Sequence, residues 1–313
     1  MARLILRRLI GSVPIAIGVA LVVFLILRLV PGDPARVMLG ADAQAADVER
    51  VRQQLGLDRP LWIQFALFLE RAVRGDLGYS YYFKDSVLTL IWSTLPATIE
   101  LAAVALAGAV LIAVPLGVVA ALRRQTLADY GSMGLAVLGV AMPPFWLGIL
   151  LIYLFGVKLR WLPTIGHGGP LWTLDGLRHV LLPAVTLGAL MLASTTRLTR
   201  AAMLDVLGED YVRTARAKGL GHRQVVYGHA LRNALIPVVT NVGLQMGNLL
   251  GGAFLTETVF AWPGIGRLSV DAMFRRDYPL VQGTLLLVTL AFLLVNLLVD
   301  VLYLMIDPRI SYA

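Results

Sequence analysis

Six stretches of the chain are long and apolar enough to cross a membrane as helices. A helix rises about 1.5 Å per residue, so about 20 predominantly apolar residues are needed to span a bilayer. The sequence therefore predicts an all-α polytopic membrane protein with six transmembrane helices. The expected spans are Leu9–Val30, Leu101–Leu122, Met133–Leu154, Leu181–Met203, Leu235–Leu255 and Leu280–Ile306.

The first span has one feature of a secretory signal peptide, since Arg3, Arg7 and Arg8 precede it. Its apolar length exceeds that of a signal-peptide core, and the following "RLVPGDP" has no small-residue cleavage pattern. We therefore expect a retained span. The predicted segments are 1–30 (N-terminal cytoplasmic end and first span), 31–96 (external segment), 97–306 (the other five spans) and 307–313 (cytoplasmic tail).

The external segment, 31–96, contains helix signals and is not a low-complexity linker. Val48, Val51 and Leu55 recur at helical spacing in "ADVERVRQQLG", and a second run, "PLWIQFALFLERAVRG", begins at Pro60. We expect a small helical layer here. It is either an amphipathic cap on the outer membrane surface or a docking surface for an external partner.

Composition supports the membrane assignment. The chain is 58% hydrophobic and 15% charged, with a mean hydropathy of +0.78, whereas soluble domains are about one quarter charged. The net charge of +8 does not indicate nucleic-acid binding, because basic residues at span ends are what membrane orientation requires. The sequence has no cysteine, which excludes disulfides and thiolate metal sites.

Lys and Arg concentrate in connections that would face the cytoplasm. Arg123 and Arg124 follow the second span, and several more basic residues lie between spans four and five. The positive-inside rule then predicts that both termini are cytoplasmic.

Polar side chains form a stripe on each of the last two spans. At helical spacing they suit either a hydrated translocation pathway or hydrogen bonds between helices, and the pattern does not choose between the two. A row of glycines on span five is typical of close helix packing. The stripe residues are Asn241, Gln245, Asn248, Gln282, Thr289 and Asn296, and the glycine row is Gly243, Gly247 and Gly251.

Three further features of the spans bear on function. Asp300 in span six either pairs with a basic residue of a neighbouring helix or couples transport to an ion. Glu100 and Glu257 lie near span ends and are expected at the membrane interface. Pro143 and Pro144 are expected to kink or break span three.

Enzyme motifs are missing from the sequence. It contains neither G-x-S-x-G nor H-E-x-x-H, and its four histidines show no metal-ligand spacing with carboxylates. It also lacks G-x-x-x-x-G-K-[ST], so we expect no nucleotide, cofactor or metal site and no catalysis by this chain alone. ATP-driven transport would need an ATPase on another polypeptide.

The stretch "YVRTARAKGLGHRQVVYGHALRNALIP", Tyr211 to Pro237, has the pattern of a helix, a turn and a second helix. Tyr211 to Lys218 lacks Pro and Gly, the glycines Gly219 and Gly221 follow, and Gln224 to Leu235 is again helix-competent. We expect a rigid cytoplasmic element that docks to a soluble partner, against the alternative of a loop that serves membrane orientation only. Ala215 and Gly219, four residues apart, are expected to share one helix face.

This stretch resembles the cytoplasmic coupling loop of ABC importer permeases. Ala215, Gly219 and Leu231 match the general pattern, and "DYVRTARAKGL" followed by "HALRNALIPVVT" is similar to the peptide and nickel branch of these permeases. Other similar pieces follow in order along the chain. They are "RLVPGDPAR", "VRQQLGLDRPLWIQF", "GDLGYS", "LPATIEL", "ETVFAWPGIGRL" and "RRDYPLVQG".

The resemblance implies the transmembrane domain of a type I importer, in a bacterial or archaeal cytoplasmic membrane. Implied partners are a second homologous permease, two ATPase subunits that bind ATP and Mg, and an external solute-binding protein that delivers a peptide. It also implies a coupling segment within 204–232, which ends near Arg232, where the general pattern has proline. Its expected ATPase-coupling residues are Tyr211, Arg213, Thr214, Ala215, Arg216, Lys218, Gly219, Leu220 and Arg223.

Overall fold

Helices make up most of the chain in the computed structural model, which describes residues 2–29, 35–36, 43–54, 56–80 and 82–306. Two π-helical turns, Ile152–Lys158 and Gln224–Ala230, continue α6 and lead into α9. The other elements in chain order are α1 Ala2–Leu29, α2 Ala45–Gln54, α3 Leu61–Val73, β1 Tyr79–Ser80, β2 Asp85–Ser86, α4 Val87–Leu122, α5 Leu127–Ala141, α6 Pro144–Leu151, α7 Leu174–Leu207, α8 Asp210–Ala217, α9 Leu231–Val259, α10 Ile265–Phe274 and α11 Tyr278–Ile306.

The helices bear out the polytopic fold. Among the described residues, four are long and apolar enough to cross a membrane, and the number rises to six if each of two bent helix pairs is one span. The bends are 110° and 63°. The single spans are Ile10–Leu29, Val87–Leu122, Leu174–Leu207 and Tyr278–Val299, and the bent pairs are Leu127–Ala141 with Pro144–Lys158 and Gln224–Gly247 with Gly251–Val259.

The expected break in span three is confirmed. Helix α5 ends at Ala141, Met142 is extended, and α6 begins at Pro144. Proline lacks an N–H, so it is tolerated at the first position of a new helix and disfavoured inside one. The span also starts at Leu127 rather than Met133, because an ion pair with Arg200 allows the carboxylate of Asp129 into the first turn of α5.

Helix α4 begins at Val87, well before the expected Leu101. Val87 and Ile91 are completely buried with Leu280 in a hydrophobic core, so apolar packing extends the helix beyond the strongly hydrophobic stretch. The two expected helices of the external segment are confirmed as α2 and α3. Leu55 and the tail 307–313 lie outside the described residues.

The chain divides into two compact units, residues 1–98 with 263–297 and residues 99–262 with 298–313. In the first unit, the buried carboxylate of Asp277 fixes the short hairpin of β1 and β2 by accepting a hydrogen bond from the Ser80 hydroxyl at 2.5 Å. It also accepts from the backbone N–H of Leu280. Gly283 permits close packing, because a Cβ there would lie 2.5 Å from a methyl group of Val87.

In the second unit, α7 packs closely on α4 through glycines. A Cβ on Gly188 would lie 2.9 Å from the carbonyl oxygen of Ala105. On the other helix, a Cβ on Gly117 would lie 2.8 Å from the carbonyl oxygen of Thr196. Real Cβ atoms essentially never approach within 3.0 Å, so the separation of these helices depends on both glycines.

Candidate functional site

The segment between α7 and α9 folds as a helix, a turn and a second helix. Helix α8, Asp210–Ala217, is followed by a turn, and the π-helical residues Gln224–Ala230 continue directly into α9. The predicted helix–turn–helix is therefore confirmed. The second half continues without a break into the first part of the fifth span, as far as Gly247.

Gly219 ends α8 in a left-handed conformation, with φ +78°. Its N–H donates to the carbonyl of Arg216 at 2.9 Å, and the N–H of Leu220 donates to the carbonyl of Ala215 at 3.4 Å. This pair of bonds is the Schellman motif, in which glycine is preferred because it carries no Cβ. The expectation that Gly219 shares a helix face with Ala215 is wrong, since Gly219 lies beyond the last residue of α8.

The two halves of the segment are held together by a small hydrophobic core. Val212 and Val225 are almost completely buried, and Ala215 is 7% exposed between them. Leu220 and the end of α7, at Val206 and Leu207, pack against this cluster. Ala215 therefore stabilises the segment from inside and is not on its outer surface.

The outer surface of the segment is polar and basic. The hydroxyl of Tyr211 accepts a hydrogen bond from Asn233 Nδ2 at 2.7 Å, which ties α8 to the start of α9. Arg213 lies 3.5 Å from Asp210 in an exposed ion pair, which contributes little to stability. Of the residues expected to couple to an ATPase, those with exposed side chains or backbone are Tyr211, Arg213, Thr214, Arg216, Lys218, Gly219 and Arg223.

The amide stripe on span five is partly bonded within the chain. Gln245 Oε1 accepts from the Ser194 hydroxyl of α7 at 2.9 Å, which is a hydrogen bond between helices. The Nε2 of Gln245 and the Nδ2 of Asn241 are buried with no partner among the described residues. The side chain of Asn248 lies outside the described part. The stripe is therefore compatible both with a hydrated translocation pathway and with hydrogen bonds between helices.

The stripe on span six is less uniform. Thr289 donates to the carbonyl of Leu285, so its hydroxyl is satisfied within its own helix. Gln282 is 8% exposed, and its Nε2 has no partner among the described residues. Asn296 is half-buried, and the side chain of Asp300 lies outside the described part of the chain.

Glu257 and the glycine row of span five differ in burial from what the sequence suggests. Glu257 is completely buried inside the protein, so its side chain does not face the membrane interface. In the glycine row, Gly243 and Gly247 are buried, whereas Gly251 is exposed and a Cβ there would meet nothing within 4 Å.

A buried ion pair with two hydrogen bonds lies in the second unit and was not predicted from the sequence. Arg200 of α7 donates to both carboxylate oxygens of Asp129 in α5, through Nε at 2.6 Å and through its second terminal nitrogen at 2.8 Å. Asp129 is 3% exposed and also accepts from the backbone N–H of Gln125. The available signal was an acid in the first turn of one apolar helix and a base inside another, but the sequence does not say which helices become neighbours.

Comparison with known proteins accounts for nearly the whole chain. Residues 113–312 match the family described as binding-protein-dependent transport system inner membrane component. Residues 1–102 match the N-terminal family of the same membrane components.

Individual relatives agree with this match. The chain is 47% identical over 312 residues to the glutathione transport system permease protein GsiC of Escherichia coli, with all of both chains covered. It is 43% identical over 328 residues to the dipeptide transport system permease protein DppB of Alkalihalophilus pseudofirmus, with 98% of each covered.

The fold agrees as well. A crystal structure of an amino acid ABC transporter with histidines has a TM-score of 0.50 and 15% identity, and the match covers 71% of this chain and 94% of that one. None of these similarities supports an ion-coupled secondary transporter or channel. The chain belongs to the family of binding-protein-dependent inner membrane components, the permease subunits of ABC importers.

Proposed function

We propose that this permease imports small peptides, forms half of the translocation pathway beside a second homologous permease, and receives force through the coupling segment, residues 204–232. Two ATPase subunits bind ATP and Mg on its cytoplasmic face, and an external solute-binding protein delivers the peptide. Both termini are cytoplasmic. The chain itself is not an ATPase, since its sequence has no P-loop.

One observation carries the coupling role. The segment has its own hydrophobic core at Val212, Ala215 and Val225, a fixed glycine turn, and no break before α9. An element this stiff passes a displacement to its spans, whereas a floppy loop would absorb it. ATP binding closes the ATPase pair, displaces the segment and switches the spans between inward and outward access.

The substrate class follows from two relatives. One is named for dipeptide transport and the other for glutathione transport, and both solutes are small peptides with free carboxylates. The amide nitrogens of Asn241 and Gln245, which have no partner in the part of the chain that the structure describes, suit a polar route that tolerates different side chains. Gly243 and Gly247 serve helix packing on the same span.

Charge reversal on the exposed face of the coupling segment tests this function. We expect Arg216→Glu with Lys218→Glu to leave membrane insertion intact and to lower ATP-driven uptake of a dipeptide at least tenfold, because the docking surface changes charge sign. Uptake into vesicles containing the complete importer is the measurement. Arg123→Glu is the matched control, since this exposed arginine lies in another connection outside the coupling segment. Normal uptake by the double variant would refute the docking role.

A further inference from the structure

A cavity of about 700 Å³ lies within the first unit, where α1 and α11 meet the external segment. Its lining includes Arg28 near the end of α1 and Gln282 in α11. Small-molecule sites in proteins have volumes of about 300 to 1,000 Å³, so the cavity has room for a small peptide.

Arg28 is held in place by two contacts. Its guanidinium lies 3.6 Å from the ring centre of Phe24, and its Nε donates to Gln64 Oε1 at 2.9 Å. Gln64 is itself fixed, because its Nε2 donates to the carbonyl oxygens of Leu57 and Arg59. One of its two terminal nitrogens, Nη1, is buried and has no hydrogen-bond partner among the described residues.

Gln282 adds a second free donor to the same cavity. Its side chain is buried, and its Nε2 also has no partner among the described residues. A buried donor without an acceptor destabilises a protein, so two of them in one cavity call for an explanation. A guanidinium has no acceptor atom, which means that a group satisfying Arg28 must be an acceptor.

The charge of the lining favours an anion. Besides Arg28, the cavity is lined by Arg59 and Arg71, and the lining contains one carboxylate, Asp76. The Oδ1 atom of Asp76 already accepts a hydrogen bond from the backbone N–H of Gly78 at 2.9 Å. A guanidinium whose plane is fixed in advance matches a carboxylate in geometry and charge.

The walls of the cavity favour a dissolved solute over a lipid. Gln53, Arg59, Arg71, Asp76 and Ser86 line it and lie outside the candidate membrane spans. A lipid headgroup would enter from the side of the bilayer, whereas most of this lining belongs to the segment between the first two spans, and Arg28 and Gln282 lie near the ends of their spans.

We propose that this cavity binds the carboxylate of a small peptide, with Arg28 as the anchoring charge and Gln282 as a second donor. The proposal rests on the proposed function, since it gives the imported solute a binding site on the external side of the permease. The cavity is then a first binding site for the peptide, distinct from the amides of span five.

A comparison of the affinities of trialanine and of its C-terminal amide shows whether the site recognises the carboxylate. The complete importer is placed in phosphatidylcholine nanodiscs without binding protein or ATP, and dissociation constants are measured by saturation-transfer NMR. We expect the free acid to bind about tenfold more tightly than the amide, because the amide loses the charged acceptor. Arg28→Gln is expected to abolish this difference.

Gln282→Leu distinguishes a binding role from a structural one. It removes an unpartnered buried donor, so thermal stability is expected to stay equal or rise, while the free acid binds at least threefold more weakly. Arg74→Gln is the control, since Arg74 is exposed, pairs with Glu70 and does not line the cavity.

Three outcomes would overturn the proposal. The first is equal binding of acid and amide by the unaltered protein, and the second is an unchanged preference in Arg28→Gln. The third is loss of trialanine binding when anionic phosphatidylglycerol replaces zwitterionic phosphatidylcholine, which would identify an anionic lipid as the occupant. The assay uses no ATP, so its result is independent of the uptake measurement that tests the coupling segment.

Discussion

Gly219 and Asp277 show how single residues fix local structure in this permease. Gly219 permits a left-handed turn that an ordinary side chain disfavours, and open space surrounds it. Asp277 is buried where the hairpin of β1 and β2 meets the start of α11. Backbone conformation favours glycine at position 219, and hydrogen bonding favours aspartate at position 277.

Replacement of Gly219 is expected to loosen the coupling segment without any steric clash. Gly219→Val puts a β-branched residue at φ +78°, which costs about 1 to 2 kcal/mol. We expect amide hydrogen exchange across α8 to accelerate about tenfold and uptake to fall. Gly219→Asn is the control, because asparagine tolerates this conformation. Unchanged exchange in Gly219→Val would show that the turn does not stabilise the segment.

Asp277 predicts a specific pH dependence of stability. Burial raises the pKa of its carboxyl above the ordinary value of 3.8, although hydrogen bonds from Ser80 and from the N–H groups of Leu280 and Tyr82 oppose this shift. The folded state therefore holds the proton to higher pH than the unfolded state does. Stability contributed by this group is greatest at low pH and declines as pH rises from about 3.8 through the folded pKa.

Asp277→Asn is expected to remove this part of the pH dependence. Asparagine keeps an acceptor oxygen for Ser80 but carries no charge to desolvate. Melting temperatures of the detergent-solubilised protein, measured between about pH 4 and pH 7, should fall less steeply for the variant. The exposed Asp58→Asn serves as control. Parallel curves for Asp277→Asn and the unaltered protein would contradict the assignment.

At the scale of elements, the ion pair between Asp129 and Arg200 joins α5 to α7. Its two parallel hydrogen bonds fix both the distance and the rotation of these helices. The glycines Gly117 and Gly188 set the separation of α4 and α7 in the same unit. Helix α7 is therefore restrained on two sides by different kinds of contact.

Breaking this ion pair from either side is expected to destabilise the second unit. Asp129→Asn and Arg200→Gln should each lower the melting temperature by several degrees, because each leaves a charged partner without its counter-charge. The double variant should be more stable than the sum of the two single effects predicts, which a double-mutant cycle measures. Strict additivity would show that the two residues do not interact in the folded protein.

At the scale of the whole molecule, apolar periodicity predicted the polytopic helical fold because a bilayer demands long apolar helices. Local signals also predicted the break at Pro143 and Pro144 and the turn at Gly219, since both depend on one residue's own backbone. Contacts between distant residues were not predictable in this way. The pairing of Asp129 with Arg200 and the burial of Glu257 depend on which helices become neighbours, which periodicity does not state.

The same limit applies to the candidate sites. Helix spacing placed Gln282 on a polar face, but the cavity it shares with Arg28 is formed only when α1 and α11 meet residues of the external segment. Ala215 was expected on an outer contact surface and instead lies in the core of the coupling segment. Alanine is small enough for either an outer contact surface or a core, so the residue type alone does not predict where Ala215 lies.

The uninterrupted helix Gln224–Gly247 has a mechanical consequence. At 1.5 Å per residue it is a rod about 36 Å long, and one end begins at the turn that follows α8. If the proposed ATPase partners rotate this rod by about 10° about that end, its opposite tip moves about 6 Å, roughly one helical turn. On the proposed function, a small movement at the nucleotide-binding partners would therefore be enlarged into a change of shape along the proposed polar route.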